Sequence, residues 1–415
     1  MNAKNDHFAG FSVPELAKKY GTPLFLYDVK QIYEQIYRIK ENIHSNVKLF
    51  YSLKANPNPS IVNLIYKTGT NIEISSILEL KVAKALKIDP ARIMYLGPGK
   101  TKKEIETVFE YGVKYFVAES KQELEVINKL GKVNNSVVEV GIRINPNLVV
   151  KGARLQMSGA PRQFGIDEDQ VDEVIQAFEN FKNLKLTGLH VYHGTRILSA
   201  DVVSNNTKEI LGLFTRLIEQ HKLNISYVGI GGGLGVPYFS DEEELDIIEL
   251  GQKCNPIISE FINRYKNIEI LMESGRFLTA SSGVYISEVL YTKVSKNQKF
   301  AVIDGGTHHY GATGGNSNIF MKNFPIHVFT SQEREIETVS LAGKLCTPND
   351  LIAKKVSLPK LQQGDLIGVL QAGAYGLTAS PVLFLSHYLP KEVLLYESMD
   401  ILIRDHNEYE VPIFE

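Results

Sequence analysis

The chain has 415 residues, more than one hydrophobic core usually organises, so two domains are expected. Hydrophobic residues make up 44% and charged residues 22%, an ordinary globular balance, and Lys+Arg 45 against Asp+Glu 47 gives a net charge of -2, with no basic excess to draw in nucleic acid or an anionic membrane. The amino end, "MNAKNDHFAGFSVPELAKKYG", lacks the apolar core of a signal peptide, and no apolar run reaches the roughly 18 residues of a membrane helix. Two distant cysteines, Cys254 and Cys346, make neither a disulfide framework nor a zinc spacing, so a cytoplasmic enzyme or binding protein is expected.

In chain order, a strand at "TPLFLYD" and an amphipathic helix from about Val29 to Ile43 come first. Eight strand-like runs follow, at "VKLFYSL", "NIEISS", "IMYLG", "YFVAES", "VEVGIRIN", "LTGLHVY", "SYVGIGGG" and "EILMESG". Between nearly all of them lie stretches with apolar residues three or four apart, such as "ILELKVAKALK" and "KKEIETVFEYG". This alternation predicts an α/β fold, a (β/α)8 barrel over residues 28–282. From Gly283 the runs "GVYISEVLYTKV", "KFAVIDGG", "ETVSLAG", "DLIGVLQAG" and "EVLLYE" alternate without helical periodicity, so residues 283–415 form a β-rich domain, with 1–27 assigned to it.

Chemistry in such a barrel sits at the carboxyl ends of the strands. There the sequence places Lys54, Glu73, Arg143, the segment His190 to Thr195, the turn Gly231 to Gly233, and Glu273 with Arg276. An amine, two carboxylates, two guanidinium groups and a glycine turn suit a phosphorylated cofactor, since residues without a Cβ let backbone N–H groups close around a phosphate. Each has a bland reading: Lys54 as a snorkelling rim lysine, "GIGGGLG" as a tight turn, Glu273 as a rim carboxylate paired with Arg276. His190 and His193, three apart on a strand, point to opposite faces and make a poor zinc pair, and His308 and His309 read as loop polar residues; no metal is expected.

The ordered motifs "FYSLKAN", "IEISSILEL", "RINPN", "RQFGI", "GLHVYHGT", "GIGGGLGVPY", "MESGR", "LCTPND" and "AGAYG" span nearly the whole chain. Together they resemble the fold-type III pyridoxal-phosphate decarboxylases, which include diaminopimelate and ornithine decarboxylases. The layout is most similar to the branch with the acyl-carrier-protein-linked glutamate decarboxylase of butirosin biosynthesis. The resemblance implies that Lys54 carries pyridoxal 5'-phosphate through its amine and that Glu273 binds the pyridine nitrogen. Thr195, Gly232, Gly233, Gly275, Arg276 and Tyr375 would form the phosphate cradle, Arg143 would lie near the ring oxygen, and Glu73 would support the ring end of the site. Cys346 matches the family cysteine that reaches in from the partner of a homodimer and helps protonate the α-carbon, and Asp350 completes its loop.

The chain departs from that family pattern at defined positions. Tyr192 stands where the stacking histidine of "HIGS" is usual, and Gln163 replaces the lysine before "FGI". Thr347 replaces the acid that pairs with a distal ammonium, and the apolar "SPVLFLSH" replaces a substrate-binding Tyr and Asn. The long segment "PNLVVKGARLQMSGAPRQFG" carries Lys151, Arg154 and Arg162 with no acid, either as a solvated loop or to receive an anionic substrate end or a carrier's phosphate. Arg154, Arg162, Thr347 and Asp350 are therefore the candidate substrate residues. The function expected is α-decarboxylation of an amino acid or amino-acid conjugate, free or carrier-bound, in secondary-metabolite or siderophore biosynthesis. The alternatives are diaminopimelate decarboxylase, an amino-acid racemase and a non-catalytic cofactor carrier.

Overall fold

The computed structural model describes residues 3–147, 155–156, 161–313 and 322–405. The chain groups into two compact units, one of Met1–Glu34, Pro237–Glu242 and Thr279–Glu415, the other of Gln35–Val236 and Glu243–Leu278.

The second of these is a closed barrel. Its strands are β1 (Val47–Ser52), β2 (Asn71–Ile74), β3 (Ile93–Tyr95), β4 (Tyr115–Ala118), β5 (Val138–Asn145), β6 (Leu184–Val191), β7 (Tyr227–Gly229) and β8 (Glu269–Ser274). Each pairs in parallel with the next, and β8 pairs with β1 to complete the ring. A helix lies between each successive pair, as a parallel crossover requires. Strands such as "YFVA" of β4 are buried along their whole length, as expected where both faces of a sheet are covered. Phe50, Met94, Tyr115, Val117, Tyr227 and Leu271 share one core cluster. Its rings meet edge to face, Phe50 with Tyr115 at 5.4 Å and Tyr115 with Tyr227 at 5.0 Å.

Three of the crossover helices start on a Ser/Thr-x-x-Glu signature. Ser76 accepts from the Glu79 N–H, Thr101 from the Glu104 N–H and Ser120 from the Glu123 N–H, which satisfies donors left over at each helix start. The same signature brings Glu79 and Glu123 to the rim where the strands end.

In the other unit, Leu24–Asp28 runs antiparallel to Gly283–Ser295 and parallel to Lys391–Tyr396. Leu24, Leu26, Val284, Ile286, Phe329, Leu366, Val393 and Leu395 form its core. Among the strands here that were not among the runs read from sequence are Ile326–Phe329, Leu351–Pro359 and Met399–Arg404, together with a small sheet of Ala3–Lys4, His7–Phe8 and Phe11–Ser12. Leu351–Pro359 lies at a sheet edge with Lys354 and Lys355 exposed, and its pairing partner, Ile336–Ala342, supplies what its broken apolar pattern does not. Among the described residues no helix is long and apolar enough to cross a membrane, and no cluster of His, Cys, Asp or Glu is placed to hold a metal ion.

Candidate active site

Lys54 leaves β1 in a single 3-10 turn, Leu53–Ala55, whose outer residues are buried while the lysine side chain stays 43% exposed. The Tyr51 hydroxyl donates to the Asn56 carbonyl at 2.9 Å and locks that turn. Lys54 Nζ lies 3.3 Å from Glu73 Oε2 and 5.8 Å from the centre of the Tyr192 ring. Glu73 is buried on β2, and its other oxygen accepts from the Ser75 hydroxyl at 2.8 Å. The Ser75 N–H donates to Glu79 at 2.6 Å, so one serine joins two carboxylates. Burial, then repulsion from Glu73, pushes the Glu79 carboxyl up to about 7 against the opposing pull of the Ser75 N–H and Lys54.

Across the rim, Arg143 at the end of β5 is buried and pairs with Glu119 at 3.0 Å. Glu119 also accepts from the N–H groups of Gly97 and Gly165, at 3.0 and 3.1 Å, and so joins three rim loops to the guanidinium. Next to it, Lys100 and Glu123 form a buried pair at 2.7 Å.

Glu273 and His190, at the ends of β8 and β6, meet at 2.7 Å with both side chains almost fully buried. Burial alone would raise the Glu273 carboxyl; His190, Lys54 and Arg143 outweigh it and hold the group below its ordinary value. The glycine turn is fastened to the same strand end, since the Glu273 N–H donates to the Gly231 carbonyl at 2.9 Å. Gly231 and Gly233 adopt φ of +65° and +68°, and a Cβ on Gly232 would stand 1.9 Å from the Glu273 carbonyl oxygen. Only glycines fit such an approach of two backbones. Gly275 and Arg276 follow β8, and Tyr192 and Thr195 follow β6, all half-buried. His193, between them, is buried, which pushes its imidazole down to about 4. Arg154 lies outside the described residues and Arg162 is exposed. The backbone of Leu155–Gln156, next in sequence to Arg154, pairs antiparallel with Gly194–Thr195.

The remaining candidates stand in the β-rich unit. Cys346 is exposed and Thr347 half-buried, with the Thr347 hydroxyl accepting from the Asn349 N–H at 3.4 Å. Asp350 is 3% exposed. Tyr375 is half-buried with φ of +54°, a conformation that costs a non-glycine residue energy and is concentrated at functional sites. His308 and His309, expected to be loop polar residues, lie in a loop but are fully buried, which lowers them to about 4 and about 3.

Sequence reading missed Glu79, Lys100, Glu119, Glu123 and the partnership of His190 with Glu273. The Ser-x-x-Glu signatures could have found Glu79 and Glu123, and the carboxyl end of the run "YFVAES" could have found Glu119. The barrel rim thus combines a lysine amine, an aromatic ring, a buried carboxylate kept ionised and a turn with no space for a Cβ. That donor set fits an aldehyde-bearing, cationic-ringed phosphate ester such as pyridoxal phosphate.

Residues 29–280 match the family model described as pyridoxal-dependent decarboxylase, pyridoxal binding domain. The chain is 36% identical to the L-glutamyl-[BtrI acyl-carrier protein] decarboxylase of Niallia circulans, over 94% of this chain and 93% of that protein. It is 29% identical to the 2-[(L-alanin-3-ylcarbamoyl)methyl]-2-hydroxybutanedioate decarboxylase of Staphylococcus aureus, over 91% and 94%. In three dimensions it is similar to the diaminopimelate decarboxylase of Helicobacter pylori, solved with L-lysine, at a TM-score of 0.86 and 27% identity over 95% of this chain and 97% of that one.

Proposed function

The chain belongs to the pyridoxal-dependent decarboxylase family, and from that premise we propose that it removes the α-carboxylate of an amino-acid conjugate whose far end carries no ammonium, such as an aminoacyl group held on a carrier protein. The observation that carries this reading is Thr347, a neutral side chain on the Cys346 loop where diamino-acid decarboxylases place an acid. Two relatives support it: one is named for a glutamyl group on an acyl-carrier protein, the other for an alanine joined to a hydroxybutanedioate.

Pyridoxal phosphate, when bound, supplies an electron sink for the pair left on the α-carbon as CO2 departs. Lys54 holds the cofactor through its amine, and Glu73 beside it keeps that amine oriented. Glu273, held ionised by His190, Lys54 and Arg143, would keep a proton on the pyridine nitrogen when the cofactor is bound. Tyr192 offers a ring face that would stack on the cofactor, and Arg143, steadied by Glu119, would serve its ring oxygen, as the family resemblance implies. Gly232, Gly233, Gly275, Arg276 and Thr195 of the barrel unit would receive the phosphate. Cys346 arrives from the partner chain of a two-fold dimer and protonates the α-carbon: its S–H bond breaks, a C–H bond forms, and the thiolate recovers a proton from solvent. Arg162, with Arg154, receives an anionic end of the substrate or a carrier's phosphate.

The test is CO2 release by the cofactor-loaded enzyme from an L-glutamyl thioester of a carrier protein, from meso-diaminopimelate and from L-ornithine, with Lys54→Ala as the blank. A buried ammonium without a counter-charge costs several kcal/mol, so the diamino acids should be poorer in kcat/KM by about 100-fold or more. Efficient turnover of diaminopimelate would overturn the reading and assign the chain to lysine formation.

A further inference from the structure

The loop that carries Cys346 is tied down by a carboxylate with no exposure to spare. Asp350 Oδ1 accepts from the Thr307 N–H at 2.7 Å and from the Thr307 hydroxyl at 2.9 Å. Its Oδ2 accepts from the N–H of Leu345, the residue before Cys346, at 2.8 Å. The Asp350 backbone closes the same loop, its carbonyl accepting from the Gly343 N–H at 2.9 Å and its N–H donating to the Thr347 carbonyl at 3.2 Å. A further bond, from the Lys344 N–H to the Gly305 carbonyl at 3.3 Å, joins the two loops that the carboxylate bridges. The fit leaves no slack: a Cβ on Gly343 would lie 2.2 Å from Asp350 Oδ2, and one on Gly306 would lie 2.8 Å from both carboxylate oxygens.

A buried carboxylate needs hydrogen-bond donors to offset lost hydration, and here three donors from two backbone segments supply them. An acid so occupied is a poor counter-charge for a substrate. We propose that Asp350, placed among the substrate residues from its sequence alone, is instead a positioning residue that sets the direction of the Cys346 thiol by clamping Leu345 to the Gly305–Thr307 loop. The proposal rests on the reading of Cys346 as the proton donor. It also deepens the substrate assignment: with Thr347 neutral and Asp350 engaged internally, the segment from Gly343 to Asp350 presents no carboxylate to a distal ammonium.

Asp350→Asn probes the clamp with little change of shape. Whichever way the amide is turned, one oxygen is exchanged for an NH2 that cannot accept, so either Leu345 or Thr307 loses its acceptor. Cofactor-loaded Asp350→Asn, Cys346→Ala and the double variant are compared in kcat and KM, and deuterium uptake over residues 340–350 is followed in the wild type and Asp350→Asn. The expected result is a kcat lowered about 10-fold or more, a KM within about 3-fold of wild type, faster uptake at Leu345, and a double variant no slower than Cys346→Ala alone. A KM that rises with kcat retained, or losses that multiply in the double variant, would show a direct substrate contact and overturn the proposal. If Cys346→Ala keeps full activity, the reading of Cys346 fails separately, and unchanged uptake in Asp350→Asn would then overturn the clamp itself. Thr307→Ala, which removes only one of the three bonds, should show the same pattern more weakly and serves if Asp350→Asn does not fold.

Discussion

Two carboxylates on the barrel rim, Glu273 buried and Glu79 half-buried, are shifted in opposite directions, and their neighbours decide which. Desolvation is the largest influence on both Glu79 and Glu273, and it raises both. Glu273 faces His190, Lys54 and Arg143, whose combined pull prevails; Glu79 faces Glu73, which adds to the rise. Folding therefore lifts Glu79 from its ordinary 4.5 to about 7. The stability tied to it is complete below the unfolded value and is lost as pH rises through 7. Glu79→Gln cannot ionise and still offers an acceptor to the Ser75 N–H. The variant should therefore gain on the wild type between pH 5 and pH 8, by about 1–3 kcal/mol. Thermal melts of both proteins at the two pH values check this, and parallel dependence of Tm on pH would contradict it.

At the scale of elements, the site depends on how loops are sewn to strand ends. The Gly231–Gly233 turn and the end of β8 share a hydrogen bond from Glu273 to Gly231, and the two backbones approach too closely at Gly232 for any side chain. Gly232→Ala forces the turn away from β8, a displacement of the kind that costs about 1–3 kcal/mol when a packed site is overfilled. The affinity for pyridoxal phosphate should fall about 10-fold or more while the barrel stays folded. Titration of the apo protein with the cofactor, followed by absorbance, measures the loss, and an unchanged Kd would remove the turn from the cradle. The turn was legible because glycines announce tight backbone. Its attachment to Glu273 was not, because 40 residues of chain separate Gly233 from Glu273 and only the parallel pairing of β7 with β8 across a helical crossover makes them neighbours.

At the scale of the whole molecule, the proposed two-fold dimer with shared sites makes a quantitative claim. If Lys54 and Cys346 meet only across the two-fold axis, a closed dimer has two sites, each drawing one residue from each chain. Lys54→Ala and Cys346→Ala should each be strongly impaired alone. After mixing and subunit exchange, about half the dimers are mixed, each with one intact site and one doubly defective site, so activity should return to roughly a quarter of wild type. No recovery despite demonstrated exchange would place both residues in one chain.

The sequence alone determined the alternation of strands and helices that closes into a barrel and the presence of Lys54, Glu73, Arg143 and Glu273 at its strand ends, because these follow from periodicities of two and 3.6 residues that a chain writes locally. It also carried the ordered motifs of a pyridoxal-dependent family. Tertiary structure alone decided the partnerships: His190 with Glu273 across 83 residues, Glu119 with Gly97, Arg143 and Gly165, and Asp350 with Thr307 across 43. Those contacts depend on which strand ends and loops become neighbours. The charges they govern depend on burial, and neither quantity exists until the chain has folded.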